Sequence, residues 1–211
     1  MMTITALRQL SPDRVAIALD NGSEIKSSLG VVTEWRLFIG RALDQDGIEA
    51  LRRDSARSLA RDRAIELISR RRMSQKEVRG KLLQKGESED AADYAVRWLT
   101  ERGFLDDESY AAAVARHYAA KGYGAGRVRS ELQRRGVERE HWDAALEEMP
   151  EADEKLERFI SSRLKDPEDR DQVRKVSAAL LRRGYSWEEV RRALRRHTEC
   201  IEEDCWKRPM H

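Results

Sequence analysis

The chain has 211 residues, of which 41 are lysine or arginine and 39 are aspartate or glutamate, so its net charge is only +2. Its charged fraction of 38% exceeds the roughly 25% of an average globular domain, whereas aromatic residues contribute only 6%. With 12 glycines and 4 prolines, this composition argues against a β-sandwich, a collagen-like chain and a disordered chain, and it favours helices with wide charged faces.

The first predicted element is a β-hairpin within residues 3–29. Val15, Ile17 and Leu19 alternate with other residues, and Asn21-Gly22 is typical of a tight two-residue turn. We therefore predict two or three short strands. The N-terminus lacks the basic start and apolar core of a signal peptide, and no apolar run approaches the roughly 18 residues of a membrane span. We expect a cytoplasmic protein without a membrane partner.

Two short helices are predicted after the hairpin. The first runs through VVTEWRLFIG and carries four large apolar residues on one face: Val31, Trp35, Phe38 and Ile39. Trp35 is expected to join this helix to the hairpin. The second begins near Asp44–Asp46 and runs close to Arg53.

A repeated pattern organises the remainder of the chain. The strings VRGKLLQKG, VRSELQRRG and VSAALLRRG end at Gly86, Gly136 and Gly184, which lie 50 and 48 residues apart. Every copy has valine eight residues before the glycine, leucine four before it and alanine nine after it. These apolar positions have the i, i+4 spacing of two successive helices, and the period is typical of helical repeats.

Capping signals locate the ends of the predicted helices. A basic residue before each aligned glycine indicates a helix C-terminus, where the cation offsets the dipole and glycine adopts a left-handed conformation. Ser74 with Glu77, and Ser186 with Glu189, are predicted capping boxes. Two further helix starts are predicted at Asp106 and Asp166-Pro167.

We therefore predict a mainly α protein whose tandem three-helix repeats form an elongated curved array, with a small N-terminal β-hairpin segment. Each repeat has a first helix, a second helix that ends at the aligned glycine, and a third helix. The predicted segments are an N-terminal hairpin with short helices (1–54), repeat one (55–105), repeat two (106–149), repeat three (150–197) and a C-terminal tail (198–211).

Basic and acidic blocks alternate along the chain. Lysine and arginine exceed acidic residues by seven over 56–86, by five over 110–136 and by six over 172–197. Acidic residues are in excess by six over 87–109 and by seven over 137–157. Such blocks are typical of solvated helices joined by salt bridges, and equally of a repeat that presents several basic strips to a polyanion.

The repeat sequences resemble a known family. The string LTERGFLDDESYA at 99–111 is similar to the junction between the first two repeats of the bacterial RecX regulators of the RecA recombinase. The resemblance runs from Ile4 to His197 and includes AIELISRRRMSQKEVRGKLLQKG. It implies a protein of DNA repair, homologous recombination and the SOS response. Such a protein binds in the groove of the RecA–DNA filament and suppresses ATPase, strand exchange and coprotease activity.

The candidate partner-contacting residues are basic side chains on the second helices, at their ends and beside them. An alternative for each is a solvated helix surface, in which a basic residue at a helix C-terminus offsets the dipole. The candidates are Arg70, Arg71, Arg72, Lys81, Lys85, Arg116, Lys121, Arg127, Arg129, Arg134, Arg135, Arg182, Arg183, Arg191, Arg192, Arg195 and Arg196.

Aromatic residues are weighed as packing or as stacking groups. Tyr110, His117, Tyr118 and Tyr123 lie among basic residues of repeat two, where they are either core or a stacking surface for bases or a filament groove. Packing is the expected role at three positions that recur among the repeats: Trp98, Trp142 and Trp187.

The sequence offers no catalytic signal. It contains no GxxxxGK[ST], HExxH or GxSxG motif, and GYGAG follows no predicted strand. The two cysteines lie in the tail, so no disulfide framework is expected. The tail set of His197, Cys200, Cys205 and His211 has zinc-ligand chemistry but matches no standard finger spacing. We expect a non-enzyme without cofactor or metal.

Three functions remain open. The first is a non-catalytic, inhibitory regulator of the RecA nucleoprotein filament, in which single- or double-stranded DNA is a further candidate partner. The second is a DNA-binding protein whose helix pairs act like helix-turn-helix units, although acidic residues in 87–93 and 138–148 would be repelled by phosphate. The third is a repeat scaffold for another protein. We expect a monomer.

Overall fold

The computed structural model describes residues 1–150 and 153–197. Two compact units divide the chain: the first is Met1–Asp106, and the second begins at Asp107. The first unit combines a β-sheet with helices, and the described part of the second unit is helical. The mainly α fold with a small N-terminal sheet is therefore confirmed.

The N-terminal sheet has four antiparallel strands in the spatial order β3-β2-β1-β4, so the predicted hairpin is one part of a larger sheet. The turn between β2 and β3 is longer than predicted, because Leu19 donates its backbone N–H to the carbonyl of Ser23. Gly22 lies within it at φ +80°. The strands are β1 (Met2–Ser11), β2 (Arg14–Leu19), β3 (Glu24–Ser28) and β4 (Ala42–Leu43).

Helix α1 (Leu29–Glu34) ends earlier than predicted. Arg36 turns the chain out of the helix at φ +48°, and Gly40 then donates its backbone N–H to the carbonyl of Ile4 on β1. Phe38 and Ile39 consequently lie outside the helix, with 60% and 63% of their surface exposed. The prediction that they belong to its apolar face is wrong.

Helix α2 (Gln45–Arg70) is continuous where the sequence predicted two helices. Its first part packs on the sheet, and its second part is the first helix of repeat one. Buried serines join the sheet to this helix: the hydroxyls of Ser55 and Ser27 are 2.8 Å apart, and those of Ser28 and Ser58 are 2.7 Å apart. Because these hydroxyls are satisfied across the interface, the polar positions do not interrupt the helix.

Repeat one is completed by α3 (Gln75–Gln84) and α4 (Glu89–Glu101). The predicted capping box of Ser74 and Glu77 is present at the start of α3. A single core lies between the three helices, and its fully buried members include Ala60, Ala64, Val78, Leu82, Ala95 and Leu99.

The second unit contains two further three-helix groups. In repeat two, the third helix has only six residues and follows a 3-10 turn at Arg139–His141. In repeat three, the second helix begins at Arg170 with Asp169 as its cap, rather than near Asp166. The helices are α5 (Asp107–Ala120), α6 (Ala125–Arg134), α7 (Trp142–Glu147), α8 (Asp153–Arg163), α9 (Arg170–Arg182) and α10 (Trp187–Leu194).

The three aligned glycines end their helices as predicted, at φ values of +87°, +68° and +88° for Gly86, Gly136 and Gly184. After each, the backbone N–H of the next residue reaches back to a leucine carbonyl of the helix, as Tyr185 does to Leu180 at 3.3 Å. This is the Schellman ending, which requires a left-handed residue.

Repeats two and three meet through a contact between backbones. The loop before α6 donates from Gly124 to the carbonyl of Arg183 at 3.0 Å and from Gly126 to that of Gly184 at 2.8 Å. A Cβ on Gly184 would lie 2.1 Å from the backbone nitrogen of Arg127, and one on Gly124 would lie 2.5 Å from the carbonyl oxygen of Gly184. Only residues without side chains permit this approach.

Replacing Gly184 with alanine should destabilise the second unit by about 3 kcal/mol, because a strained φ is combined with an overlap against backbone. Gly86→Ala is the matched control, since its φ is +87° and no atom lies within 4 Å of the added Cβ. The free energy of unfolding should fall by only about 1 kcal/mol in that variant. Urea unfolding followed by circular dichroism measures both, and equal losses would contradict the importance of the backbone contact.

Candidate functional site

The structure separates the seventeen basic candidates by whether they have partners within the chain. Seven bond to a neighbouring side chain or carbonyl: Arg70, Arg71, Arg116, Arg134, Arg135, Arg183 and Arg196. The side chains of the other ten form no ion pair or hydrogen bond in the part of the chain that the structure describes: Arg72, Lys81, Lys85, Lys121, Arg127, Arg129, Arg182, Arg191, Arg192 and Arg195.

In the first unit, the basic candidates lie at the end of α2 and on α3. Arg70 pairs with Glu66 at 2.6 Å, and Arg71 pairs with Glu77 at 3.1 Å. Both arginines are largely exposed, and exposed pairs of this kind contribute little to stability. Arg72 is exposed beside them. The other first-unit candidates lie on α3 and at its C-terminal end: Lys81 and Lys85.

A buried carboxylate binds two of the candidates in repeat two. Glu131 is only 3% exposed, and its oxygens accept hydrogen bonds from Arg134 at 2.5 Å and from Arg135 at 2.7 Å. Arg135 also donates to the hydroxyl of Tyr110 at 2.5 Å. These bonds, above all that from Arg134, outweigh desolvation and lower the pKa of Glu131 to about 2. This network stabilises repeat two.

Arg183 lies between aromatic rings at the boundary of repeats two and three. Its guanidinium carbon is 4.4 Å from the ring centre of Phe159 and 5.6 Å from that of Tyr123. It also donates to the carbonyl of Gly122 at 3.3 Å. Its half-buried side chain therefore helps to join the two repeats.

Three unpaired arginines line a groove at the junction of repeats two and three. We call this the junction groove; it has a volume of about 440 Å³, and Arg127 and Arg129 of α6 and Arg182 of α9 are among its lining residues. The backbone contact described above brings these helices together. The groove's one carboxylate, Glu189, accepts a 2.6 Å bond from the backbone of Ser186, so it serves as a helix cap. The groove is therefore positively charged.

The other second-unit candidates do not line the junction groove. Arg116 pairs with Glu148 at 2.5 Å, and Lys121 is exposed after the end of α5. Arg196 pairs with Glu157 at 2.9 Å. The remaining basic candidates lie on α10 or just beyond it: Arg191, Arg192 and Arg195.

The predicted aromatic cluster of repeat two is present. The ring centres of Tyr118 and Tyr123 are 5.6 Å apart, as are those of His117 and Tyr118, whereas Tyr110 is only 5% exposed. Trp142 packs as predicted and donates to the carbonyl of Val137 at 3.0 Å. Trp187, by contrast, is 39% exposed.

One grouping was missed from the sequence. Three aromatic residues at 94, 98 and 104 lie among arginines of two helices in the first unit. The available signal was i, i+4 spacing in both helices: Arg57 with Arg61, and Tyr94 with Trp98.

Within residues 1–150 and 153–197, no group of three or more His, Cys, Asp or Glu side chains is placed to hold a metal ion. Cys200, Cys205 and His211 lie outside the described residues. No described helix is long and apolar enough to cross a bilayer.

Known proteins share the three-helix repeats. Family models of the first, second and third three-helix domains of RecX match residues 60–108, 106–146 and 151–194. The regulatory protein RecX of Xanthomonas axonopodis pv. citri (strain 306) is 41% identical over 137 residues, which are 63% of this chain and 84% of that protein. The chain belongs to the RecX family. The RecX regulatory protein of Vibrio vulnificus (strain CMCP6) is 33% identical over 138 residues, 64% of this chain and 90% of that protein.

Solved RecX structures share the fold. The crystal structure of a regulatory protein RecX has a TM-score of 0.70 and 23% identity, and the match covers 93% of this chain and all of that one. RecX from Lactobacillus salivarius has a TM-score of 0.59 and 20% identity, and the match covers 69% of this chain and 98% of that one. Because the first match covers 93% of the chain, the shared RecX fold extends beyond the residues that the three family models match.

Glu131→Gln should lower the free energy of unfolding by about 2 kcal/mol at pH 7, because two arginines lose their charged partner. The folded pKa of about 2 lies below the ordinary glutamate pKa of 4.5. The carboxylate therefore contributes its full stabilisation above pH 4.5, and this contribution is lost as the pH falls towards 2. The difference between wild type and variant should shrink over that range.

Urea unfolding at pH 7, 4.5 and 3 measures this difference. Glu66→Gln is the control, because it removes a pair whose side chains are 59% and 71% exposed. It should change stability by less than about 0.5 kcal/mol at every pH. A Glu131→Gln effect that stays constant down to pH 3 would contradict the assigned pKa.

Proposed function

We propose that the protein is a non-catalytic, inhibitory regulator of a RecA recombinase. It binds the RecA–DNA filament and suppresses ATPase, strand exchange and coprotease activity by occupying the filament. Membership of a family of regulatory proteins named RecX supports a regulatory role. The observation that carries the proposal is the junction groove, where three arginines without ion pairs among the described residues line one cavity.

The unpaired cations are the proposed contact residues. A filament that surrounds a polyanion presents phosphates and acidic side chains, and free guanidinium groups bind both through charge-assisted hydrogen bonds. Arg127, Arg129 and Arg182, which line one groove, are the principal proposed contacts. The exposed paired arginines would exchange their internal partners for external ones, at small cost because exposed pairs are weak. Arg135 would keep its internal partner, because that partner is the buried Glu131.

Several weak contacts together support binding to a repetitive partner. The unpaired candidates occur in both compact units and in all three repeats, and five of them lie on the second helices or at their ends: Lys81, Lys85, Arg127, Arg129 and Arg182. Contacts on one chain act with a high effective concentration, so modest individual affinities combine. The near-neutral total charge of +2 favours a protein-containing partner over naked DNA.

The experiment is a titration of RecA's ATPase on single-stranded DNA with substoichiometric amounts of this protein. We expect inhibition at well under one copy per RecA subunit. Replacing Arg127, Arg129 and Arg182 together with glutamine should raise the concentration for half-inhibition by about tenfold or more, since each removed contact to a charged group is worth roughly 1.5–3 kcal/mol.

The control replaces three exposed cations outside the proposed surface, Arg14, Lys26 and Lys76, with glutamine and so makes the same change in charge. An equal loss of ATPase inhibition in both triple variants would indicate a non-specific charge effect. Binding of the same DNA without RecA is measured over a salt series in parallel. Tight, steeply salt-dependent DNA binding without any ATPase effect would contradict the proposal and favour a helix-turn-helix-like DNA-binding protein.

A further inference from the structure

A stripe of aromatic and arginine side chains crosses the first unit on the neighbouring helices α2 and α4. We call it the α2–α4 stripe. Its aromatic members lie on α4 and just after it, and its arginines come from both helices. The members are Arg57, Arg61, Tyr94, Arg97, Trp98, Arg102 and Phe104.

Each ring on α4 has arginines beside it. The guanidinium carbons of Arg57 and Arg97 are 5.1 and 5.9 Å from the ring centre of Tyr94. Those of Arg61 and Arg102 are 5.2 and 4.1 Å from the ring centre of Trp98. Cations at these distances are attracted by the ring faces, and they hold the aromatic side chains in place.

Phe104 extends the stripe and is largely exposed. Its ring is nearly parallel to that of Trp98, at 14°, with 6.4 Å between the ring centres. Gly103 (φ +72°) ends α4 in the same Schellman manner as the aligned glycines. The residues that follow two of those glycines, Val137 and Tyr185, are only 4% and 5% exposed, whereas Phe104 is 61% exposed. Capping the helix therefore does not account for an exposed aromatic ring here.

The stripe retains free positive charge. Arg57 is neutralised by two hydrogen bonds to Asp90, at 2.7 and 2.9 Å. Arg97 and Arg102 are exposed and form no ion pair within residues 1–150 and 153–197. At its other end, the stripe opens into a groove of about 340 Å³ lined by both signs of charge, so the free positive charge lies at the Arg97 and Arg102 end; the charged lining residues are Glu34, Asp54, Arg57 and Arg61.

We propose that the α2–α4 stripe is a binding site for single-stranded nucleic acid, which it holds by stacking a base on the exposed Phe104 and by contacting phosphates with Arg97 and Arg102. Rows of aromatic side chains beside arginines are the usual means of binding single strands without sequence preference. Tyr94 and Trp98 are one helical turn apart, and Phe104 continues the row, so the site spans about 12 Å. At about 3.4 Å per base, this length accommodates about three nucleotides.

The distribution of charge favours a nucleic acid over a protein as the occupant. A single strand offers both groups that this stripe can bind, a base for an exposed ring and phosphates for exposed arginines. Here every ring of α4 is flanked by arginines, and two of those arginines are free to contact phosphates. The site goes beyond the proposed regulation of RecA, because it needs no partner protein to bind a strand.

The test is fluorescence anisotropy with a fluorescein-labelled oligodeoxythymidine of 12 nucleotides, compared with an abasic strand of the same length. The full chain should bind the base-containing strand more tightly. Phe104→Ala should weaken that binding by about tenfold while leaving the abasic strand unaffected, because only base stacking is removed. Phe104→Trp should retain the binding. Replacing Arg97 and Arg102 with glutamine should reduce the slope of log affinity against log salt by about 1.4, the contribution of two phosphate contacts.

Phe38→Ala is the matched control, because Phe38 is 60% exposed in the same unit but lies outside the stripe. It should bind both strands as the unsubstituted chain does. Equal affinity for the two strands, or equal loss in Phe104→Ala and Phe38→Ala, would overturn the proposal. Intact oligonucleotide binding by Phe104→Ala, with weakened binding to a RecA filament, would assign the stripe to a protein and would also overturn it. The anisotropy assay contains no RecA, so its result does not depend on whether the protein regulates RecA.

Discussion

The second unit depends on a place where two backbones touch without side chains between them. The backbone N–H groups of Gly124 and Gly126 donate hydrogen bonds to carbonyls at the end of α9. The backbone of Arg127 lies so close to Gly184 that a Cβ added to this glycine would overlap it. Hydrogen bonds between main chains make this contact directional as well as close. The junction groove follows from it, because the same contact sets α6 beside the end of α9. Thus the glycines that bring α6 and α9 together carry no charge, although they position the three arginines of the junction groove.

Charged residues make up 38% of the chain, and many of them pair with one another. Many arginines meet carboxylates distant in sequence, as Arg57 meets Asp90 and Arg116 meets Glu148. Several residues of the basic blocks therefore pair with residues of the acidic blocks. Charge density alone does not show which of the described arginines lie outside these pairs.

Local signals predicted the repeats well, and non-local contacts were not predictable from them. The aligned glycines and the capping boxes at Ser74 and Ser186 act within one or two helical turns, so the sequence displays them directly. The continuity of α2 was missed because its two parts face different cores and change apolar pattern midway. The junction groove was missed because it requires a loop to meet a helix end more than 50 residues away.

The continuous α2 has a consequence for dividing the chain. Its 26 residues extend about 39 Å and belong to two cores at once. A fragment that begins at the first repeat would leave Ser55 and Ser58 without their buried partners in the sheet, and it would give the helix a new, uncapped start. The sheet and the first repeat of this chain therefore share one continuous helix, although the repeat pattern predicts a boundary between them.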